Sequence, residues 1–256
     1  MSLTKNLEEV VLLREGGKRL ARALAETAAR VVPGVTTYEL NDHFERLVRK
    51  TGDEPAFLNY RPRGARRPFP SAICISVNEE VVHGIPTENV RTVAEGDIVK
   101  LDGGVTHAGL ITDHAISVIA GTGSEEDVAL VLGTRQALMA GIDAARGGNK
   151  VGDISAAIEK VGVALGYGIV FELGGHGVGH AVHEEPYVPN VGDPGQGVLL
   201  VPGMVLAIEP MFTLGTPRVR LLGDGYTFVT KDNTRAAHWE HTILVTEGAP
   251  EILTAL

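Results

Sequence analysis

Across residues 7–31, apolar residues recur at intervals of three and four (Leu13, Leu20, Leu24, Ala28, Val31) between charged positions. This spacing predicts an amphipathic helix, which Pro33 and Gly34 end. A second helix is expected from Thr36 or Thr37 through Leu40, Phe44, Leu47 and Val48 to Gly52. The same plan returns later in the chain. Residues 137–146 read as a helix broken by Gly147 and Gly148, and residues 154–165 as the next, ending at Gly166. The spans 40–52 and 154–166 have the same length.

The strand patterns repeat more closely. Gly96-Asp-Ile-Val-Lys-Leu-Asp102 and Gly203-Met-Val-Leu-Ala-Ile-Glu209 each place an apolar strand after a glycine and end it in a carboxylate. Asp113-His-Ala-Ile-Ser-Val118 is echoed by Glu240-His-Thr-Ile-Leu-Val245, an acid at a strand start followed by His. One such match is chance; four in the same order argue for two ααββ units about a pseudo-twofold axis. The expectation is an α+β fold in a single domain spanning 1–256, with repeats over roughly 7–120 and 125–250. The junction at Gly121-Thr-Gly-Ser124 is too short to be a linker.

Composition narrows the function. Of 256 residues, 44% are hydrophobic and 21% charged, which suits a globular chain and argues against a disordered one. Subtracting 32 acidic from 23 basic residues leaves a net charge of −9, so the surface as a whole repels nucleic acid, and no specific nucleic-acid partner is expected. Cys74 is the single cysteine, which excludes an internal disulfide and suits a reducing cytoplasm. Lys5, Glu8, Glu9 and Arg14 interrupt the apolar N-terminus, so it does not read as a secretory signal, and the apolar stretch 198–208 is too short to cross a bilayer.

The strand pairs bring together four acids, Asp102, Asp113, Glu209 and Glu240. Burying them unpaired would cost about several kcal/mol each, so they require cations. A carboxylate-rich set favours Mn²⁺, Fe²⁺ or Co²⁺ over a thiolate zinc site, and four acids suffice to bridge two ions. Between the strand pairs lies Gly174-Gly-His-Gly-Val-Gly-His180-Ala-Val-His183-Glu-Glu-Pro186, where glycines permit close backbone approach and histidines supply neutral nitrogen ligands or proton-transfer groups. The glycine spacing lacks the βαβ context of a dinucleotide loop. His43, His107 and His238 read as ordinary structural histidines, and Cys74 as a packed pocket wall rather than a nucleophile.

Five motifs carry a resemblance: Val82-His-Gly-Ile-Pro86, Asp102 with Asp113, Gly175-His-Gly-Val-Gly179 with His183-Glu-Glu-Pro186, Ile208-Glu-Pro-Met211 and Trp239-Glu-His-Thr242. Together they resemble the type I methionine aminopeptidases, whose pita-bread fold is a curved, mostly antiparallel sheet covered by helices. The resemblance spans nearly the whole chain. It implies two divalent ions (Co²⁺, Mn²⁺ or Fe²⁺) held by Asp102, Asp113, His176, Glu209 and Glu240. It also implies substrate-contacting histidines at His83 and His183, with Glu209 as proton carrier. The methionine pocket falls on Tyr60, Phe69, Cys74 and Tyr226. The implied substrates are N-terminal methionine peptides and nascent chains, met by a cytoplasmic monomer with no membrane partner.

Three stretches depart from that pattern. Residues 61–68, Arg-Pro-Arg-Gly-Ala-Arg-Arg-Pro, look like an inserted basic loop beside the substrate mouth. It reads as a solvated loop, with transient contact to ribosomal RNA or an acidic substrate as the alternative. Phe57 and Val182 redistribute the expected pocket volume, and Gly-Leu-Ile-Thr before Asp113 changes the surroundings of that ligand. Two other functions fit the same residues: an X-Pro aminopeptidase or prolidase, and a non-catalytic relative that binds partners.

Overall fold

Polar caps start the first three helices in the computed structural model, which describes residues 3–256. Asn6 accepts from Glu9 N at 2.9 Å while Glu9 returns a bond to Asn6 N, opening α1 (Leu7–Ala28). Thr36 and Glu39 do the same for α2 (Thr37–Lys50), which is followed by β1 (Glu54–Pro55), β2 (Cys74–Val77), β3 (Glu80–Val82) and the long hairpin β4 (Ile98–His107) and β5 (Leu110–Ile119). Ser124 caps α3 (Glu125–Ala144), ahead of α4 (Val151–Leu165), β6 (Gly168–Ile169), β7 (Gly174–Gly177) and β8 (Glu184–Pro189). The remaining strands are β9 (Val205–Ile208), β10 (Met211–Thr213), β11 (Val219–Leu221), β12 (Phe228–Thr230), β13 (Ala236–His238), β14 (Glu240–Leu244) and β15 (Glu251–Ile252).

Helix α3 begins well before the expected residue 137. Ser124, followed by Glu125, Glu126 and Asp127, is a strong start signal, but Gly133 and the absence of a single apolar stripe obscured it. Strand positions differ too. Asp102 lies in the middle of β4 and Asp113 is the fourth residue of β5, whereas Glu209 follows β9 and Glu240 opens β14. Only the acids of the second half therefore sit at the strand boundaries read from the sequence.

The main sheet has the order β1-β4-β5-β14-β9-β7-β8, with β2 on β4 and β15 on β14, and its pairs are antiparallel. Directly opposed residues share a face. One face carries Val99 and Leu101 of β4 and Ile75 and Val77 of β2, packed against Leu20, Leu24, Leu40 and Phe44 of α1 and α2. The same face in the second half carries Leu206, Ile208 and Ile243, against Leu138 and Ile142 of α3 and Ile154 and Ile158 of α4. The helices thus cover one side of the sheet and leave the other for chemistry.

Close approach within the sheet depends on glycine at position 175. A Cβ there would stand 2.2 Å from the Ala207 carbonyl oxygen on the neighbouring strand. Gly175→Ala should therefore destabilise the protein by about 2 kcal/mol or more, as overpacking against backbone does. An unchanged denaturant midpoint would contradict this reading of β7 against β9.

Candidate metal centre

Strand register builds the centre. Cys74 opposes Asp102, Asp102 opposes Ala115, and Ala115 opposes Glu240, so their side chains share one face of the sheet. Asp113, two residues before Ala115, lies on that face by alternation. On the far side, Ala207 opposes both Thr242 and His176, which brings His176 to the same face, with Glu209 two residues beyond Ala207. Thr242 fixes the join between the halves: its hydroxyl donates to the Asp113 carbonyl at 2.7 Å and accepts from Asp113 N at 2.8 Å.

The result is a crowded, dry acidic cluster. Asp102, Asp113 and Glu240 are each less than a tenth exposed. Burial raises the Asp102 carboxyl to about 7 and Glu209 to about 8. It pushes Asp113 and Glu240 well above the ordinary range, with repulsion from the neighbouring acids adding to the shift. Asp113 Oδ1 and Glu240 Oε1 are buried without any hydrogen-bond partner.

The nitrogen donors are set to complement them. His176 Nδ1 donates to the Gly177 carbonyl at 2.9 Å, which leaves the Nε2 lone pair free, and burial lowers this imidazole to about 3. One ligand atom each from Asp113, His176 and Glu240 lie within 4.8 Å of one another. Orphaned carboxylate oxygens, a neutral imidazole nitrogen and enough acids to offset a divalent charge make a donor set that fits such an ion.

The structure brings every candidate residue to one cavity with about 540 Å³ of empty space. Asp102, Asp113, His176, Glu209 and Glu240 form its floor, and His83, His183, Tyr60, Phe69, Cys74 and Tyr226 line it. His183 Nδ1 lies 2.8 Å from the Tyr60 hydroxyl, and its ring meets His176 edge-on at 4.4 Å. His83 is held at a positive φ of 59° and, being buried, is lowered to about 4, so it is neutral near pH 7. Phe69 and Tyr226 pack edge to face at 5.2 Å, with Phe57 and Val182 in the same apolar cluster. Burial raises the Cys74 thiol well above its usual range, which keeps it protonated and agrees with a wall residue.

Two readings from the sequence change. His238 is no ordinary structural histidine: its Nε2 lies 3.5 Å from Glu209 Oε2, and neither ring nitrogen has a hydrogen-bond partner. Alternation could have found it, since His238 stands two residues before Glu240. The basic loop is also less free than expected. Arg67 forks onto Glu88 at 2.5 and 2.6 Å, Tyr226 donates its hydroxyl proton to the Arg67 carbonyl, and Pro62 lines the cavity. His107, by contrast, pairs with Asp53 at 2.8 Å, away from the site.

A buried acid and imidazole cluster of this kind defines a metal-dependent enzyme, and the comparisons specify which. Residues 11–247 match metallopeptidase family M24, and the chain belongs to that family. It is 44% identical over 250 residues to a methionine aminopeptidase of Aquifex aeolicus, covering 97% of this chain and 96% of that one. It is 41% identical to methionine aminopeptidase 1 of Mycobacterium tuberculosis, covering 96% and 92%. The crystal structure of methionine aminopeptidase from Thermotoga maritima superposes with a TM-score of 0.94 at 41% identity, covering 99% of both chains. A prolidase from Pyrococcus horikoshii shares the fold, with a TM-score of 0.78 at 21% identity, and this chain covers 63% of it. The fold is thus the pita-bread fold, and the centre is one for divalent metal.

Because burial raises all four carboxyls above the ordinary carboxylate range when no cation is bound, metal binding must be linked to proton release. Calorimetric titration of metal-free protein with Mn²⁺ at pH 7, in buffers of different ionisation enthalpy, should show more than one proton released per chain. Affinity should rise from pH 6 to 8. Binding without proton release would contradict the electrostatics.

Proposed function

We propose that this protein is a dinuclear-metal aminopeptidase that removes the N-terminal methionine from peptides and nascent chains. The carrying observation is that Asp113, His176 and Glu240 converge, with Asp102 and Glu209 beside them, in the same cavity as an apolar and aromatic pocket. Asp102, Asp113, His176, Glu209 and Glu240 would hold the two ions, with Mn²⁺, Fe²⁺ and Co²⁺ all suited to these donors. When bound, the ions supply an activated water and polarise the scissile carbonyl.

The chain's own groups do the rest. Phe57, Tyr60, Phe69, Cys74, Val182 and Tyr226 enclose an unbranched thioether side chain, which adapts to an irregular apolar wall. The acidic cluster attracts a free α-amino group, so the enzyme acts at a chain terminus. Glu209 takes a proton from the water as its oxygen attacks the carbonyl carbon. Glu209 then gives that proton to the leaving amine nitrogen as the C–N bond breaks, releasing methionine and the shortened peptide. Neutral His83 and His183 donate N–H groups to the oxyanion as it develops; for His183, the Tyr60 hydroxyl donating to Nδ1 leaves the proton on Nε2. His238 Nε2 and His176 Nε2 approach different oxygens of Glu209, at 3.5 Å from Oε2 and 3.6 Å from Oε1, and so border the proton carrier on both sides.

We further read residues 1–256 as one catalytic domain of two repeats, acting as a cytoplasmic monomer. Arg63 and Arg66, exposed on the basic loop, are the groups a passing contact with ribosomal RNA would use.

Glu209→Ala and His83→Ala should each lower kcat/KM for Met-Gly-Met-Met by about 10²-fold or more, the usual worth of a proton carrier or oxyanion donor. Near-normal turnover in either variant would refute its assigned role. In the parent protein, an X-Pro peptide cleaved faster than the methionine peptide would overturn the substrate reading.

A further inference from the structure

The strands that carry the metal ligands have a second face, and part of it is uncovered. Alternation sends His114 and Ile116 of β5, and Trp239 and His241 beside and within β14, away from the acids. Helices α1 and α3 do not meet over this strip. Between them lies an open cleft lined by residues of α1, α3, β5, β14 and the segment after β15.

The walls of the cleft are chemically specific. His114 and His241 stack with ring centroids 4.4 Å apart at 12°. Hydrogen bonding fixes both rings. His114 Nδ1 donates to the Glu240 carbonyl. Thr254 Oγ1 accepts from Thr242 N at 3.1 Å and lies 2.8 Å from His241 Nδ1, which fixes the orientation of the His241 ring. Ala25 of α1 and Leu132 of α3 make apolar sides, the latter 58% exposed. The Arg135 guanidinium stands 5.7 Å over the Trp239 ring and forms no ion pair among the described residues. The buried Trp239 Nε1–H has no acceptor.

We propose that this cleft is a second binding site, selective for a flat aromatic small molecule that carries an anionic group. The ring would lie against the imidazole pair and the indole, between Ala25 and Leu132. The anion would pair with Arg135, which otherwise stands as an uncompensated cation in a chain of net charge −9. This charge complementarity separates an aromatic anion from a neutral or cationic one. The site goes beyond peptide cleavage, and none of the side chains assigned to cleavage lines it. It does adjoin them, because His114 and His241 directly follow Asp113 and Glu240 in the chain.

Trp239 is the single tryptophan, so its emission reports on this cleft alone. The probe is 1-anilinonaphthalene-8-sulfonate, an aromatic anion, titrated into the full chain in the presence of Mn²⁺ and saturating methionine to occupy the front cavity. The expected result is saturable, one-to-one quenching of Trp239 with energy transfer to the probe. Arg135→Glu, an exposed position on α3, should weaken binding at least tenfold and reverse the preference between this probe and the aromatic cation thioflavin T. Ala25→Phe, which fills the cleft without changing charge, should abolish saturable transfer. Quenching that appears only when methionine is omitted would place the probe in the front cavity and overturn the proposal. So would equal affinity in the parent and Arg135→Glu proteins, which remains decisive if Ala25→Phe fails to fold.

Discussion

Mutual repulsion among buried carboxylates is the interaction on which this structure turns. Asp102, Asp113, Glu209 and Glu240 converge in a site that excludes water, where each ionised group left unpaired costs about several kcal/mol. Without a cation the protein meets this cost by holding protons, which is why burial raises all four carboxyls. A bound divalent ion removes the need for those protons and converts the strain into affinity. Function and instability thus share one origin: the charge density that binds metal is the charge density the fold tolerates least.

The backbone makes that convergence possible. Five strands held in antiparallel register, each alternating its side chains, aim ligands separated by up to 138 positions at one face. Helices on the opposite face supply the apolar burial that offsets the acidic one. Lys100 adds a second tie: from β4 its ammonium donates to the Asn78 and Ala236 carbonyls at 2.8 and 3.2 Å, linking the turn before His83 to the strand bearing His238.

Much of this was legible in the sequence because the chemistry repeats with the chain. Paired acids followed by His, and a glycine-bordered His segment between them, announced the candidate ligands, and apolar residues at intervals of three and four announced α1 and α2. What was not legible depended on three-dimensional register. Asp102 looked like a strand end because Gly103-Gly104 is a poor strand former, and Asp113 like a strand start; the long hairpin runs through both, with Phe44 packed directly over Gly103. His238 looked ordinary because it was read alone; alternation from Glu240 puts it on the ligand face, but its neighbour Glu209 lies 29 positions earlier. The clamp on the basic loop was hidden for the same reason, since Glu88 and Tyr226 lie far from Arg67 in the chain.

Anomalous diffraction from crystals grown with Mn²⁺ tests the central claim most directly. A manganese peak within bonding distance of Asp113, Glu240 and His176 Nε2 is the expected result, with a second beside Asp102. Fully loaded crystals showing no peak among these side chains, or manganese bound only elsewhere, would mean that something other than a metal ion reconciles the acids with burial.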